Sequence, residues 1–136
     1  MTKNWKEIAS ATLEGSENDT MTFPEGVKML MEGGFDGYAV DYRCGTRTYY
    51  LADGDALELK TAPVSVPVAE RFDAGAVKDA IREAQQMVPG YSYMKFCTKV
   101  MAAGCAGYLV SLLGKRVVYY GRTGETHTEH FPGTKQ

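Results

Sequence analysis

The hydrophobic pattern of this chain switches from helical spacing to strand alternation. Helical spacing comes first, in an apolar stripe that begins after Thr22 and stops at Gly34: Phe23, Val27, Leu30 and Met31. Glu25 stands three positions after Thr22, which is capping-box spacing. Alternation follows over residues 38–43, and a tyrosine-rich run covers 47–51. Turns at 44–45 and 53–54 separate these runs from each other and from a third run at about 56–60. The pattern predicts a helix followed by a three-stranded meander.

The same pattern returns in the second half of the chain. Residues 21–60 align with 91–130 without a gap, and eight positions are identical. In the first copy these positions are Met31, Gly34, Gly37, Tyr38, Val40, Tyr49, Tyr50 and Gly54. The second copy predicts a helix that starts after Ser92 and stops at Gly104, and strands over about 108–112, 116–120 and 126–130. An internal duplication follows from this alignment.

A further helix is expected before each copy. Its apolar stripe is short at the N-terminus (Trp5, Ile8, Ala9, Thr12) and longer in the second copy (Val77, Ala80, Ile81, Ala84, Val88). The unit is therefore helix, helix and three strands. Repeat 1 covers about 3–60, an extended connector with Pro63 and Pro67 covers 61–70, and repeat 2 covers about 71–132. A single repeat makes a small isolated core, so we expect one domain, 1–136, with a shared core.

The expected fold class is α+β, an internal duplication of a helix–helix–three-strand unit. Two arrangements satisfy the pattern: one six-stranded antiparallel sheet, or two facing meanders. In both, four helices pack on one side.

Composition narrows the function classes. Of 136 residues, 44% are hydrophobic and 24% charged, as in ordinary globular proteins. The net charge of -2 argues against nucleic acid as a partner. Residues 21–60 carry four basic and seven acidic side chains, whereas 91–130 carry five basic and two acidic. This split suits either plain solvation or self-association, so a homodimer is one expected partner arrangement.

Sequence signals for the cellular setting are few. The segment from Met1 to Leu13 lacks an export pattern, and the uncharged run between Lys99 and Lys115 is too short to cross a bilayer as a helix. We therefore expect no membrane association. The three cysteines, Cys44, Cys97 and Cys105, are interpreted as reduced thiols in a cytoplasmic protein.

The sequence assigns no catalytic residue, metal site or cofactor. Glycine-rich phosphate loops and nucleophile elbows do not occur in it. The sharpest polar cluster is THTEH at 126–130, where His127 and Glu129 align with Leu57 and Leu59. Either the two side chains form a polar pocket, or this last strand is an exposed edge. His130 is expected on the opposite face of the strand.

Tyrosine is unusually frequent, with nine residues. Most are expected to be half-buried sheet residues whose hydroxyls reach water. The alternative is a ligand cleft lined by repeat-related tyrosines and two arginines: Tyr38, Tyr49, Tyr108, Tyr119, Arg47 and Arg116.

The combined motifs resemble a family of small bacterial proteins of unknown function that carry the label phage envelope protein. The resemblance covers about residues 5–132 and rests on the pattern G-x-Y-x-V, Y-Y, a turn glycine and a closing E-x-F-P: Gly37, Tyr38, Val40, Tyr119, Tyr120, Gly124, Glu129, Phe131 and Pro132. It implies a duplicated α+β fold and a bacterial or prophage origin. It implies no activity and no catalytic residues.

The leading hypothesis is a non-catalytic binding or protein-interaction module, whose partner is an unknown small molecule or protein. The alternative is a small hydrolase-like enzyme that uses His127 and Glu129.

Overall fold

The computed structural model describes residues 4–131, which form four helices and six strands. The first five elements are α1 (Trp5–Glu17), α2 (Phe23–Glu32), β1 (Phe35–Asp41), β2 (Thr46–Leu51) and β3 (Ala56–Lys60). The second five are α3 (Ala74–Gln86), α4 (Tyr93–Ala102), β4 (Cys105–Ser111), β5 (Arg116–Gly121) and β6 (Thr126–His130). The predicted order of helix, helix and three strands therefore occurs twice.

The two halves agree in detail. Both contain elements of 13, 10, 7, 6 and 5 residues in that order. From α2 and α4 onward, matching elements begin at positions that the sequence alignment pairs, while α3 begins one position earlier than the alignment with α1 would place it. Both central strands also carry a register shift near their start, at 35–37 and at 105–107.

All six strands belong to one antiparallel sheet in the order β3-β2-β1-β4-β5-β6. The halves join where β1 pairs with β4, with Tyr38 opposite Val110 and Val40 opposite Tyr108. In this register the two halves are related by a pseudo-two-fold axis that passes through the Ala39–Leu109 pair. Of the two expected arrangements, the single six-stranded sheet is the observed one.

Local sequence signals explain where the helices start. Thr22 and Glu25 form the predicted capping box at the start of α2, and Asn4 with Glu7 forms another at α1. The side chains of Asp73 and Ser92 accept from backbone N–H groups in the first turns of α3 and α4. These caps satisfy backbone donors that a helix cannot satisfy itself.

Gly104, which follows α4, is required for two separate reasons. Its φ of +94° lies in the left-handed region, and a Cβ added there would lie 1.8 Å from the carbonyl oxygen of Arg71. Its counterpart Gly34 has a φ of +84° but open space around it. The close approach at Gly104 brings Arg71 and Phe72, which follow the connector, against the end of α4.

The core lies between the helices and one face of the sheet. Strand alternation sends Tyr38, Val40, Tyr49, Tyr108 and Val110 to this face, where all are buried. The three cysteines are free thiols: Cys44 is exposed, whereas Cys97 and Cys105 are buried. Within residues 4–131, no helix combines the length and the apolar character needed to cross a membrane.

Candidate functional site: a buried arginine cluster and an open groove

Seven of the eight side chains singled out from the sequence belong to the helix-covered face of the sheet. They are Tyr38, Tyr49, Tyr108, Tyr119, Arg47, His127 and Glu129. Arg116 does not join them: it is exposed and stands next to buried Val117, so alternation places it on the opposite face. The true counterpart of Arg47 is Val117, and that of Arg116 is Thr46.

In the first half, Arg47 lies at the centre of a cluster of hydroxyl groups. Its side chain is 1% exposed. Nη2 donates to the Tyr93 hydroxyl at 2.9 Å, and Nη1 donates to the Tyr49 hydroxyl at 3.2 Å and to Ser16 Oγ at 3.5 Å. The guanidinium carbon also lies 4.8 Å from the ring centroid of Tyr38.

Further hydroxyl groups extend this network away from the arginine. Tyr93 OH lies 2.7 Å from Tyr108 OH, and Tyr49 OH lies 2.8 Å from Thr12 Oγ1. Thr12 already donates to the carbonyl oxygen of Ala9 at 2.9 Å, so Tyr49 is the donor in the second bond. The cluster therefore connects α1, α4, β2 and β4, and it links the two halves.

Burial raises the pKa of three tyrosines of the cluster, Tyr38, Tyr93 and Tyr108. It raises the pKa of Tyr38 to about 12, although the charge of Arg47 opposes the shift. Burial likewise raises the pKa of Tyr93 and of Tyr108 above the ordinary tyrosine range. For Arg47, burial acts to lower the pKa, but the surrounding tyrosine oxygens raise it and prevail. The guanidinium of Arg47 is thus protonated, and Tyr38, Tyr93 and Tyr108 around it are neutral.

In the second half, His127 and Glu129 form a hydrogen-bonded pair on the edge strand β6. The distance from His127 Nε2 to Glu129 Oε2 is 2.6 Å, and the two side chains are 18% and 29% exposed. The imidazole also stacks on Tyr119, with ring centroids 6.5 Å apart. The strand is an edge, as one hypothesis held, yet the pair faces the core side rather than open solvent.

An apolar groove of about 420 Å³ opens between α2 and the residue that follows β6. Its walls are Phe23, Pro24, Val27, Met31 and Phe131, with Lys28 and Glu32 as charged members. The Phe23 and Phe131 rings meet edge to face, with centroids 5.6 Å apart. Phe131 N donates to the Lys115 carbonyl oxygen at 2.9 Å, which continues the strand ladder beyond β6.

A smaller cavity, of about 210 Å³, lies near α3 and α4. Its walls include Glu83 and Lys99, which form an ion pair with each other, and Lys95, whose Nζ donates to the Gly90 carbonyl oxygen at 3.1 Å. These charges are therefore already engaged within the protein. Among residues 4–131, three potential metal-ligating side chains do not come together anywhere.

Sequence reasoning missed the residues that helices contribute to both sites. Tyr93 and Phe23 occupy the same position in their repeats, the first residue of α4 and of α2. Tyr93 closes over Arg47, whereas Phe23 leaves the groove open. The aligned repeats contained a signal for this difference, because arginine in one copy stands where the other has valine.

Fold and sites together define a small α+β protein of duplicated architecture, with a polar cluster around Arg47 and an apolar groove between α2 and Phe131. The chain belongs to the family described as protein of unknown function (DUF1398), whose model matches residues 11–129. No curated protein matches the chain. The family match assigns no activity and lends no support to the phage envelope label.

Proposed function

We propose that this protein is a non-catalytic binding module whose ligand occupies the groove between α2 and Phe131. The observation that carries the proposal is the exposed apolar surface of the groove: Phe23 is 42% exposed and Met31 47%. A volume of about 420 Å³ is within the range of small-molecule sites, which are mostly apolar with a few polar groups. The occupant is therefore a small organic molecule with an apolar body.

The comparison between halves supports this assignment. Tyr93, from the second repeat, packs onto the strands of the first repeat and hydrogen-bonds to Arg47. At the pseudo-symmetric position the equivalent aromatic, Phe23 of the first repeat, touches Phe131 and leaves a concave surface. The same architecture is thus closed on one side and open on the other, as expected if the open side receives a ligand.

The polar ends of the groove suggest what else the ligand carries. Lys28 and Glu32 contribute to its wall and form no ion pair with each other in the described part of the chain. Phe131 follows Glu129 by two positions, so in an extended chain the two side chains point the same way. An amphipathic ligand would place its apolar body on Phe23 and Met31 and its polar group toward Lys28.

Binding of 8-anilinonaphthalene-1-sulfonate, a fluorescent probe with an apolar body and one anionic group, tests this proposal. We expect saturable binding to the native protein, weakened at least tenfold in Met31→Glu. Leu113→Glu is the matched control because Leu113 is 80% exposed outside the groove. Loss of binding in both variants, or in neither, would refute the assignment of the groove.

One observation favours a second candidate, a hydrolase-like enzyme. A carboxylate-paired, partly buried histidine is an arrangement used in general base catalysis, and His127 with Glu129 has this geometry. In the described residues, the only hydrogen-bond partner of the His127 side chain is Glu129. Hydrolysis of an ester panel by the parent protein, abolished in His127→Ala and retained in His130→Ala, would favour the enzyme over the binding module.

The domain organisation, the cellular location and the oligomeric state of the protein stay predictions. We infer a single domain that arose by duplication, acts in the bacterial cytoplasm with reduced thiols, and forms a homodimer where its oppositely charged halves meet. Sedimentation at low and high salt tests the last point, since contacts between surface charges weaken with ionic strength.

A further inference from the structure

Arg47 is a buried charge without an anionic partner. Within residues 4–131, no carboxylate oxygen lies within 4.0 Å of its nitrogen atoms. Its Nε has no hydrogen-bond partner, although the atom is buried. Because an unpaired charge loses its hydration on burial, such a position is costly for the fold.

The neighbouring hydroxyls lessen this cost but do not remove the charge. Tyr49 and Tyr93 accept hydrogen bonds as neutral groups: Tyr49 directs its proton to Thr12, and Tyr93 shares a hydrogen bond with Tyr108. The Tyr38 ring adds a cation–π contact at 4.8 Å. All of these partners are dipoles or ring faces, so the guanidinium keeps a full positive charge.

The site related to this one by the pseudo-two-fold symmetry of the sheet shows that the architecture does not need this charge. There Val117 replaces Arg47, Phe23 replaces Tyr93, and Ile81 stands at the α3 position that corresponds to Thr12. Val117 and Ile81 are both buried. A hydrocarbon version of the same site therefore exists within the same protein.

The unused donors of Arg47 point to the shape of its partner. Nη1 makes two hydrogen bonds and Nη2 makes one, which leaves Nε–H and one Nη2 proton. Nε and Nη2 lie on the same edge of a guanidinium group. Planar anions with two oxygen atoms bind such an edge with two parallel hydrogen bonds.

We propose that Arg47 binds a small planar oxyanion, a carboxylate of formate or acetate size or an inorganic anion such as nitrate. The anion would enter along the seam between the end of α1 and the start of α4. Ser16 and Tyr93, the members of the cluster nearest this seam, are only half-buried. The site is separate from the groove, so the proposed function and this inference can fail independently.

Arginine Nε–H resonances of the ¹⁵N-labelled protein provide a direct test. Sodium formate, acetate, nitrate and chloride are compared at constant ionic strength. We expect the Arg47 signal, identified by its loss in Arg47→Lys, to shift saturably with at least one planar oxyanion and not with chloride. A response to nitrate but not to carboxylates would assign the site to an inorganic ligand. An Arg47 signal that none of the planar anions moves would overturn the proposal.

Two variants separate binding from a structural role. Arg47→Val copies the second half, and we expect it to fold with a Tm at or above that of the parent and no response to the anion. Arg116→Ala, which changes an exposed arginine, should respond as the parent does. If Arg47→Val fails to fold, the Nε–H titration of the parent still decides the question.

Leu59→Glu tests the charge argument without removing Arg47. Leu59 lies directly opposite Arg47 in the β2–β3 pair, so both side chains point to the same face. A glutamate there would supply the missing carboxylate from within the chain. We expect the anion response to fall at least tenfold, and an unchanged response in a folded variant would overturn the proposal.

Discussion

Replacing His127 and Glu129 together by leucine should stabilise the protein. Leu57 and Leu59 occupy the equivalent positions on β3 and pack against the core. The double variant His127→Leu/Glu129→Leu would extend the same hydrocarbon surface onto β6, against Tyr119. The alignment of the two halves thus supplies the variant's design.

The burial of the two side chains determines the expected gain in the free energy of unfolding. Complete burial of a leucine side chain is worth about 1.5–3 kcal/mol. Since the present side chains are 18% and 29% exposed and already bury some carbon, about 1 kcal/mol per position is a fair net value. The lost His127–Glu129 interaction costs about 0.5–1 kcal/mol, as expected for a partly exposed pair. The double variant should therefore gain about 1–1.5 kcal/mol in the free energy of unfolding.

Urea denaturation at pH 7 of the parent, both single variants and the double variant completes a double-mutant cycle. His127→Leu alone should be close to neutral, because it leaves Glu129 without its partner. His130→Leu is the control on the opposite face of the same strand and should change stability by less than about 0.5 kcal/mol. A double variant less stable than the parent by more than about 1 kcal/mol would refute the reasoning and make the pair a structural element.

Three further predictions concern the rest of the fold. The free energy of unfolding should fall as pH rises from about 10 toward 12. The reason is that the unfolded chain loses its tyrosine protons first, while burial raises the pKa of Tyr38 in the folded protein to about 12. Chemical denaturation at pH 8, 10 and 11 measures this fall, and equal stability at all three pH values would contradict it. Gly34→Ala should lower the free energy of unfolding by about 1–2 kcal/mol because of the positive φ alone. Gly104→Ala should lower it clearly more, because a Cβ there also meets Arg71. Equal losses in the two variants would contradict the close contact. Thiol titration should find Cys44 accessible in the native protein and three thiols after unfolding, and a count of one would indicate a disulfide.

Element boundaries were predictable where a capping residue or a turn glycine sets them, whereas the first strand of each copy begins three residues before its predicted start, at Phe35 and at Cys105. Thr22 and Ser92 cap helices that begin at the next residue, as predicted. The third strand of each copy, predicted at about 56–60 and 126–130, has these bounds in the structure. Gly54 and Gly124, both at positive φ, fix the preceding turns.

The joining of the two meanders could not be predicted. It depends on the pairing of Tyr38 with Val110 and of Val40 with Tyr108, which lie far apart in sequence. Both candidate arrangements bury the same alternating face, so the hydrophobic pattern is identical for each. Only the hydrogen bonds between β1 and β4 distinguish a single sheet from two.

The arginines illustrate how strictly strand register governs a site. Arg47 and Arg116 are offset by one position between the repeats, and in a strand one position changes the face. Alternation therefore correctly groups Arg47 with the buried tyrosines and excludes Arg116. Tyr93 was not grouped with them because it comes from a helix, whose position over the sheet is a tertiary property.

The two candidate sites differ most clearly at one pair of residues that face each other across neighbouring strands. In the first half, Arg47 stands opposite Leu59; in the second, Val117 stands opposite Glu129. Placed in the same half, the arginine and the glutamate would form a cross-strand ion pair and neutralise each other. Because each charge instead faces hydrocarbon, neither is satisfied by its strand partner: the glutamate is paired with His127, and the arginine keeps two unused donors. This separation of charges is the physical reason to look for a ligand at Arg47 rather than for a salt bridge that stabilises the sheet.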